Sequence, residues 1–437
     1  EAMTAQPGLS LHAASVPVTE SALLGKRRTG VLIAATAGNA LGKTATVHAV
    51  FGTFLVPLSQ EFGWQRSSIS MVLAILAVVS AIIYPLAGRY ADRHGTRNMV
   101  LLGNVLFALS VACLALTNGN LVLFYLNFLA ISLFGSLPAT SVFSRLVAEW
   151  FDKNRGTALG ISAGLGNGIG SVCVPIMTAL IVSTAGWRAG YLGIGALILS
   201  VGFPIFFFLL RDAPRKATES GLRDASSERP APPIEGMTLR QAIGTAPFWL
   251  ILIAIAAGGG TMIAVLSHVV PILADRGYGL ATGTAIVSLF ALTGSLWQIF
   301  TGRVLDKSRG PRVVVPMYAL AIVGLLLLEF SPFGALLPVA GPCLGIALGA
   351  QFGALPYFIA RYFGLRSFGV IIGVMCSAVI GAQGITPVLM DLSFDLLGHY
   401  RLAVLVSIGV MAVGSLLLFL LPAYADEPEK VPVSGEA

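Results

Sequence analysis

Twelve apolar runs follow one another along the chain, at roughly 29–58, 66–88, 97–117, 120–149, 156–184, 188–210, 247–273, 281–303, 312–330, 333–360, 367–393 and 400–422, separated by short polar turns. A helix that crosses a bilayer needs about 20 apolar residues, and each run comes to about that length. The pattern predicts an all-α integral membrane protein of twelve transmembrane helices, α1 to α12 in chain order. One long polar stretch, 211–246, reads as a cytoplasmic linker between an N-terminal six-helix half at 26–210 and a C-terminal half at 247–422. Residues 1–25 and 423–437 read as disordered tails.

The two halves repeat one another. Gly88-Arg-Tyr-Ala-Asp92-Arg93-His-Gly95-Thr-Arg97, between α2 and α3, returns at an offset of 214 as Gly302-Arg-Val-Leu-Asp306-Lys307-Ser-Arg-Gly310-Pro-Arg312, between α8 and α9. Pro57 through Gly63-Trp64 at the end of α1 matches Pro271 through Gly277-Tyr278 at the end of α7, at the same offset. Several landmarks at one spacing make the halves structural repeats.

Composition agrees with a membrane solvent. The chain is 56% hydrophobic and 11% charged, with mean hydropathy +0.86, against roughly 45–50% apolar and 25% charged residues in soluble domains. The net charge of +7 does not point to nucleic acid, because the basic residues are spread between the spans. Twenty-two of the 27 Lys and Arg fall on the face that carries both termini, so both termini are expected in the cytoplasm and the protein in the cell membrane. The first apolar run follows Lys26-Arg27-Arg28 as a signal peptide would, but its length and Lys43 argue that it is retained. Cys113, Cys173, Cys343 and Cys376 fall within predicted helices without metal-type spacing and read as packing residues. No nucleotide loop, metal cluster or Ser-His-Asp set is visible, so neither an enzyme nor a cofactor is expected.

Lys43 carries the sharpest functional signal. It sits about fourteen residues into α1, near the bilayer midplane, where a charge costs about 2.5–3.5 kcal/mol on insertion scales. Asn39 lies one turn earlier on the same face, and His48 is five residues further on, about 140° around a regular helix. No Asp or Glu is expected at mid-depth: Asp92, Glu149 and Asp306 fall at the termini face, and Glu61, Asp275, Glu329, Asp391 and Asp395 at the opposite one. An unpaired cation at that depth invites an anion; the alternative is a neutral lysine bonded to Asn39 and backbone carbonyls. Asn167, His268, Gln298, Gln351 and Gln383 are further polar candidates for a cavity, with Trp297 and Tyr357 as aromatic walls. Each could equally bridge helices. His268 can titrate near neutral pH, and its place close to Pro271 also suits the outer mouth.

Small residues mark close contacts. Gly341, Gly345, Gly349 and Gly353 recur every four residues in α10, as do Gly160, Gly164 and Gly168 in α5. Gly258-Gly259-Gly260 in mid-α7 suggests a hinge or local unwinding. In the repeated basic loop, Gly88 and Gly95 permit a tight turn, while Asp92 can pair with Arg93 or Arg97 or cap a neighbouring helix. Gly88, Asp92, Arg93, Gly95, Arg97, Gly302, Asp306, Lys307 and Arg312 are therefore expected to gate the termini face, with topogenic charge alone as the plainer account.

The Gly-x-x-x-Asp-Arg-x-Gly-x-Arg loop between α2 and α3 resembles that of the major facilitator superfamily, and the resemblance extends over nearly all of 29–422. Glu61-Phe-Gly-Trp64, Trp150-Phe-Asp-Lys-Asn-Arg155-Gly156, Gly186-Trp-Arg188 and Ser267-His268-Val-Val-Pro271 are similar to segments of bacterial monocarboxylate and oxalate–formate type porters. That likeness implies alternating access by a functional monomer in the lipid bilayer, with a small organic anion and protons as its partners, moved by proton-coupled symport or by exchange. Two positions depart from it. Gln298 stands near the place of the arginine on α8 that holds substrate carboxylate in that branch, and Gln383 near the lysine on α11 of oxalate–formate carriers. If an anion is bound, its charge partner has moved to Lys43. Drug-exporter patterns on α4 and α5 are missing, which argues against efflux, although a carrier or exporter of a larger amphipathic or neutral solute stays open.

Overall fold

The computed structural model describes residues 18–151, 155–212, 236–308, 310–331, 334–364 and 366–424. Most of the expected linker, 213–235, and the tails 1–17 and 425–437 lie outside the described residues. The observed spans are Gly25–Phe62 (α1), Arg66–Ala91 (α2), Arg97–Leu116 (α3), Leu121–Trp150 (α4), Ala246–Asp275 (α7), Leu280–Leu305 (α8), Pro311–Phe330 (α9), Gly334–Phe363 (α10), Val370–Leu397 (α11) and Arg401–Phe419 (α12). Between α4 and α7 runs one helical stretch, Thr157–Leu209. It breaks at Gly186, whose φ of 81° and ψ of 170° leave the helical region, so 157–185 (α5) and 187–209 (α6) cross separately. Twelve crossings result, as the hydropathy pattern predicts. The helix of α1 starts at Val18, inside the expected tail.

Many large apolar side chains face outward, among them Val78, Leu116, Leu180, Phe208 and Leu396. Lipid, not water, satisfies such a surface. Inside, the C-terminal half packs one continuous apolar core from Ala242 to Leu421, which Ala49 of α1 also joins. The N-terminal half has two cores, one around Phe54, Phe107 and Ile194 and the other around Val31, Phe143 and Phe206. Along α1 the latter core ends at Ala35 and the former begins at Ala45, so Lys43 falls between the two.

Glycine rows set the helix contacts. A Cβ at Gly345 or Gly349 would lie 2.5 or 2.4 Å from the Phe290 or Gly294 carbonyl of α8, so α10 and α8 touch backbone to backbone, as expected. On α5 the tightest approach is instead at Gly170, where a Cβ would come within 1.9 Å of the Ala40 carbonyl of α1, while Gly164 and Gly168 face Ile299 and Ser295 of α8. The hinge expected at Gly258–Gly260 is not formed: α7 runs as one helix from Ala246 to Asp275, and neighbours fill the space that side chains there would take. Among the described residues, two other spans are interrupted: α4, between Gly135 and Thr140, where Ala139 is extended with φ −85° and ψ 157°, and α1. After Ala40 the chain turns, continues as a wide five-residue π segment, Thr44–His48, and resumes regular helix at Phe51.

Candidate functional site

A cavity of about 500 Å³ opens between the halves. On α2, which runs from Arg66 at the face opposite the termini to His94 at the termini face, its lining residues are Leu73, Leu76, Ala77, Ser80 and Tyr84. These lie around the middle of α2, and the lining residues of α11, Cys376 to Gln383, fall in the half of that helix nearer the termini face, so the cavity occupies the middle of the bundle and reaches toward that face.

Lys43 stands at the break in α1. Its Nζ donates to Ser80 Oγ at 2.6 Å and to Ser136 Oγ at 2.7 Å, and sits 5.0 Å from the centre of the Tyr84 ring. Both hydroxyls have partners of their own away from the amine. Ser136 Oγ donates to the Ser132 carbonyl at 2.6 Å, and Ser80 Oγ lies 3.4 Å from Ser132 Oγ, which donates to the Leu76 carbonyl at 3.1 Å. This order of donors leaves both serine lone pairs for the cation. Bonds to a charged donor contribute about 1.5–3 kcal/mol each, yet none of these groups carries a negative charge. Among the described residues, no carboxylate lines the cavity.

The π segment has a consequence for His48. Ala49 N donates to the Thr44 carbonyl, five residues back, at 2.9 Å. The wider turn brings residues five apart closer to one face than an α-helix would, and His48 lines the cavity together with Lys43. Its Nδ1 is buried without a hydrogen-bond partner. Asn167, Gln298, Gln351 and Gln383 also line the cavity.

The other four candidates do not. Asn39 is buried and donates to the Ala35 and Ser162 carbonyls at 3.0 and 2.9 Å, holding α1 to α5. Trp297 Nε1 donates to Met317 Sδ at 3.4 Å, and the Tyr357 hydroxyl donates to the Leu305 carbonyl at 3.0 Å. His268 belongs to a different cluster. Ser80, Ser136 and Tyr84 escaped the sequence reading, since serine inside an apolar helix carries no mark that separates a cavity position from a packed one.

At the face opposite the termini, a polar cluster closes the two halves on each other. Arg66 of α2 forms a two-pronged bond with Asp275 of α7 at 2.8 and 3.0 Å, reaches Tyr400 Oη at 3.2 Å and stacks 3.6 Å from the Phe394 ring centre. Asp395 of α11 accepts from the Arg66 and Ser67 amides at 3.0 and 2.9 Å, capping α2 across the interface. Beneath lies Asp391, fully buried, which accepts from the Ser70 and Tyr400 hydroxyls and sits 2.9 Å from His268 Nε2. His268 Nδ1 is 2.7 Å from the Ala264 carbonyl. A carbonyl only accepts, so Nδ1 carries a proton, and the contact from Nε2 to Asp391 then needs a second one shared by the pair. Asp391 lies six residues before the end of α11, yet burial and its contact with His268 make it part of the interior and not a surface acid.

The repeated basic loop is seen in part. Gly95 ends α2 with φ 88°. Asp212, just past the end of α6, caps α3 by accepting from the Thr96 and Arg97 amides at 2.6 and 3.1 Å. Arg97 donates to the Phe207 carbonyl at 2.8 Å, Arg145 of α4 to the Gly88 carbonyl at 3.3 Å, and Arg312 lies 4.7 Å from the Phe419 ring centre. The side chains of Asp92, Arg93 and Asp306, and the surroundings of Gly302, lie outside the described residues.

Two six-helix halves around one central cavity, closed on one face by cross-half bonds, define a membrane carrier. The sequence profile of the Major Facilitator Superfamily matches residues 32–378. The chain belongs to that superfamily and is a multi-pass membrane transporter, not an enzyme. It is 25% identical to the gallate transporter of Pseudomonas putida, over 86% of this chain and 90% of that protein. It is 24% identical to monocarboxylate transporter 11 of Homo sapiens, over 90% of this chain and 83% of that protein. The fold is similar to that of a bacterial homolog of the human lysosomal transporter Spinster, solved in an inward-facing, unoccupied conformation, with TM-score 0.68 and 15% identity over 90% of this chain and 96% of that one.

Proposed function

We propose that the chain carries a small organic anion, a monocarboxylate or an aromatic or dicarboxylic acid, by proton-coupled symport through alternating access. Lys43 carries this reading: an ammonium group at cavity depth whose partners are two serine hydroxyls and a ring, all neutral. A substrate carboxylate completes the charge balance that the protein leaves open. His48, Asn167, Gln298, Gln351 and Gln383 are the further contacts. The names of the relatives, a gallate and a monocarboxylate transporter, support the same class.

The proton is assigned to His268 and Asp391. The pair is buried against α2, with Ser70 and Arg66 from the N-terminal half and Asp275, Asp395 and Tyr400 from the C-terminal half around it. A change in its proton count alters the bonds that shut this face, which couples proton movement to opening. Asp92 and Asp306, with Arg93, Arg97, Lys307 and Arg312, form the corresponding gate at the termini face.

Uptake of radiolabelled organic acids into proteoliposomes tests the reading. A pH gradient directed inward should raise uptake, and Lys43→Gln should abolish uptake of anions, while Lys43→Arg keeps the charge and alters selectivity. Wild-type affinity for anions in Lys43→Gln removes the anion site. Uptake that ignores the gradient but responds to unlabelled anion preloaded inside makes the protein an exchanger.

A further inference from the structure

We infer that the C-terminal wall of the cavity is a seat for an uncharged hydrogen-bonding group, so that the substrate is a monoanion bearing a hydroxyl at the end opposite its carboxylate, and not a dicarboxylate. The inference rests on the anion reading above and narrows it.

Charge is confined to one side. Among the described lining residues Lys43 is the single Lys, Arg, Asp or Glu, and His48 comes from the same helix. The opposite half presents amides from three helices: Gln298 of α8, Gln351 of α10 and Gln383 of α11. Gln351 is 1% exposed, and neither its Oε1 nor its Nε2 has a hydrogen-bond partner. Buried amides almost always satisfy both ends, because each loses water without replacement otherwise. A glutamine that merely tied helices together would have found a partner on α7, α8 or α11.

The α7 glycines explain how this amide is placed. A Cβ at Gly258 would lie 2.7 Å from Gln351 Nε2, and one at Gly259 would lie 3.7 Å from Oε1. The helix stays regular there, although glycine is unfavourable in a helix interior. What the glycines supply is a flat surface for the amide to rest on while it borders the cavity. An amide offers one donor group and one acceptor, and a hydroxyl complements both. A second carboxylate at this wall would meet no cation, and burying an unpaired charge is strongly unfavourable. Between the two polar ends the lining is apolar, with Leu73 and Leu76 on one side and Ile255, Phe352 and Val379 on the other, which suits a carbon skeleton.

Equilibrium binding to purified full-length protein decides the matter, using matched sets of acids on a rigid ring and on a linear chain. The sets are benzoate, 4-hydroxybenzoate and benzene-1,4-dicarboxylate, and hexanoate, 6-hydroxyhexanoate and hexanedioate. In at least one set the hydroxy acid should bind about tenfold tighter than the plain monoacid, the scale of one added hydrogen bond, with the diacid weakest. Gln351→Leu should erase that hydroxyl preference, read as the ratio of hydroxy-acid to monoacid affinity in the variant, because the amide that would pair with the hydroxyl is gone. Gly258→Ala, whose methyl displaces Nε2, should lower the same ratio and serves if Gln351→Leu does not fold. A diacid that binds tightest, or a hydroxyl preference that survives both substitutions, overturns this inference while Lys43-dependent binding keeps the anion reading. Absence of any Lys43-dependent binding across both sets overturns the two together.

Discussion

Replacing Arg66 with alanine should open the face that the structure holds shut. The substitution removes two bonds to Asp275, one to Tyr400 and the stacking on Phe394. The Arg66 and Asp275 side chains are 10% and 28% exposed, so the pair lies between two limits. Breaking a fully buried pair costs about 3–5 kcal/mol, and an exposed pair contributes about 0–1 kcal/mol. With stacking of about 0.5–1 kcal/mol, the closed arrangement loses about 3 kcal/mol, a shift of about 150-fold in the ratio of closed to open. Cys376 supplies the reporter because it lines the cavity. With Cys113, Cys173 and Cys343 replaced by alanine, a membrane-impermeant thiol reagent should label Cys376 from the termini side in the parent protein. In Arg66→Ala, labelling should appear from the opposite side and fall from the first. A folded variant whose labelling from both sides matches the parent refutes the assignment of Arg66 as a closure residue.

Asp391→Asn removes the charge that faces His268 while keeping shape; proteoliposome uptake should lose its response to a pH gradient, yet counterflow exchange should persist. An intact gradient response would separate the pair from coupling. Asp212→Ala removes the cap on the Thr96 and Arg97 amides and should cost about 1 kcal/mol, read as a lower melting temperature with substrate affinity unchanged. Gly170→Val places carbon atoms where the Ala40 carbonyl already lies; overpacking of this kind costs about 1–3 kcal/mol or more, and the yield of monodisperse protein should collapse. Normal yield and melting would mean that α1 and α5 do not approach so closely.

The sequence by itself determined the bundle. Hydropathy, the repeated Gly-x-x-x-Asp loop and the spread of basic residues are properties of single segments, and the bilayer reads each segment on its own. Lys43 was legible for the same reason, since its depth follows from counting along one helix. Which side chains meet is a different matter. Rotation, tilt and local breaks of a helix are set by packing against its neighbours, and nothing along one strand of sequence encodes them. Hence Ser80 and Ser136 emerge as the partners of Lys43 only in three dimensions, a π segment swings His48 to the cavity, and His268 leaves the expected site to join Asp391. The glycine triplet of α7 shows the limit most clearly. Its cost to a helix was visible in one dimension, but whether those glycines bend α7 or seat Gln351 depends on what α10 places against them.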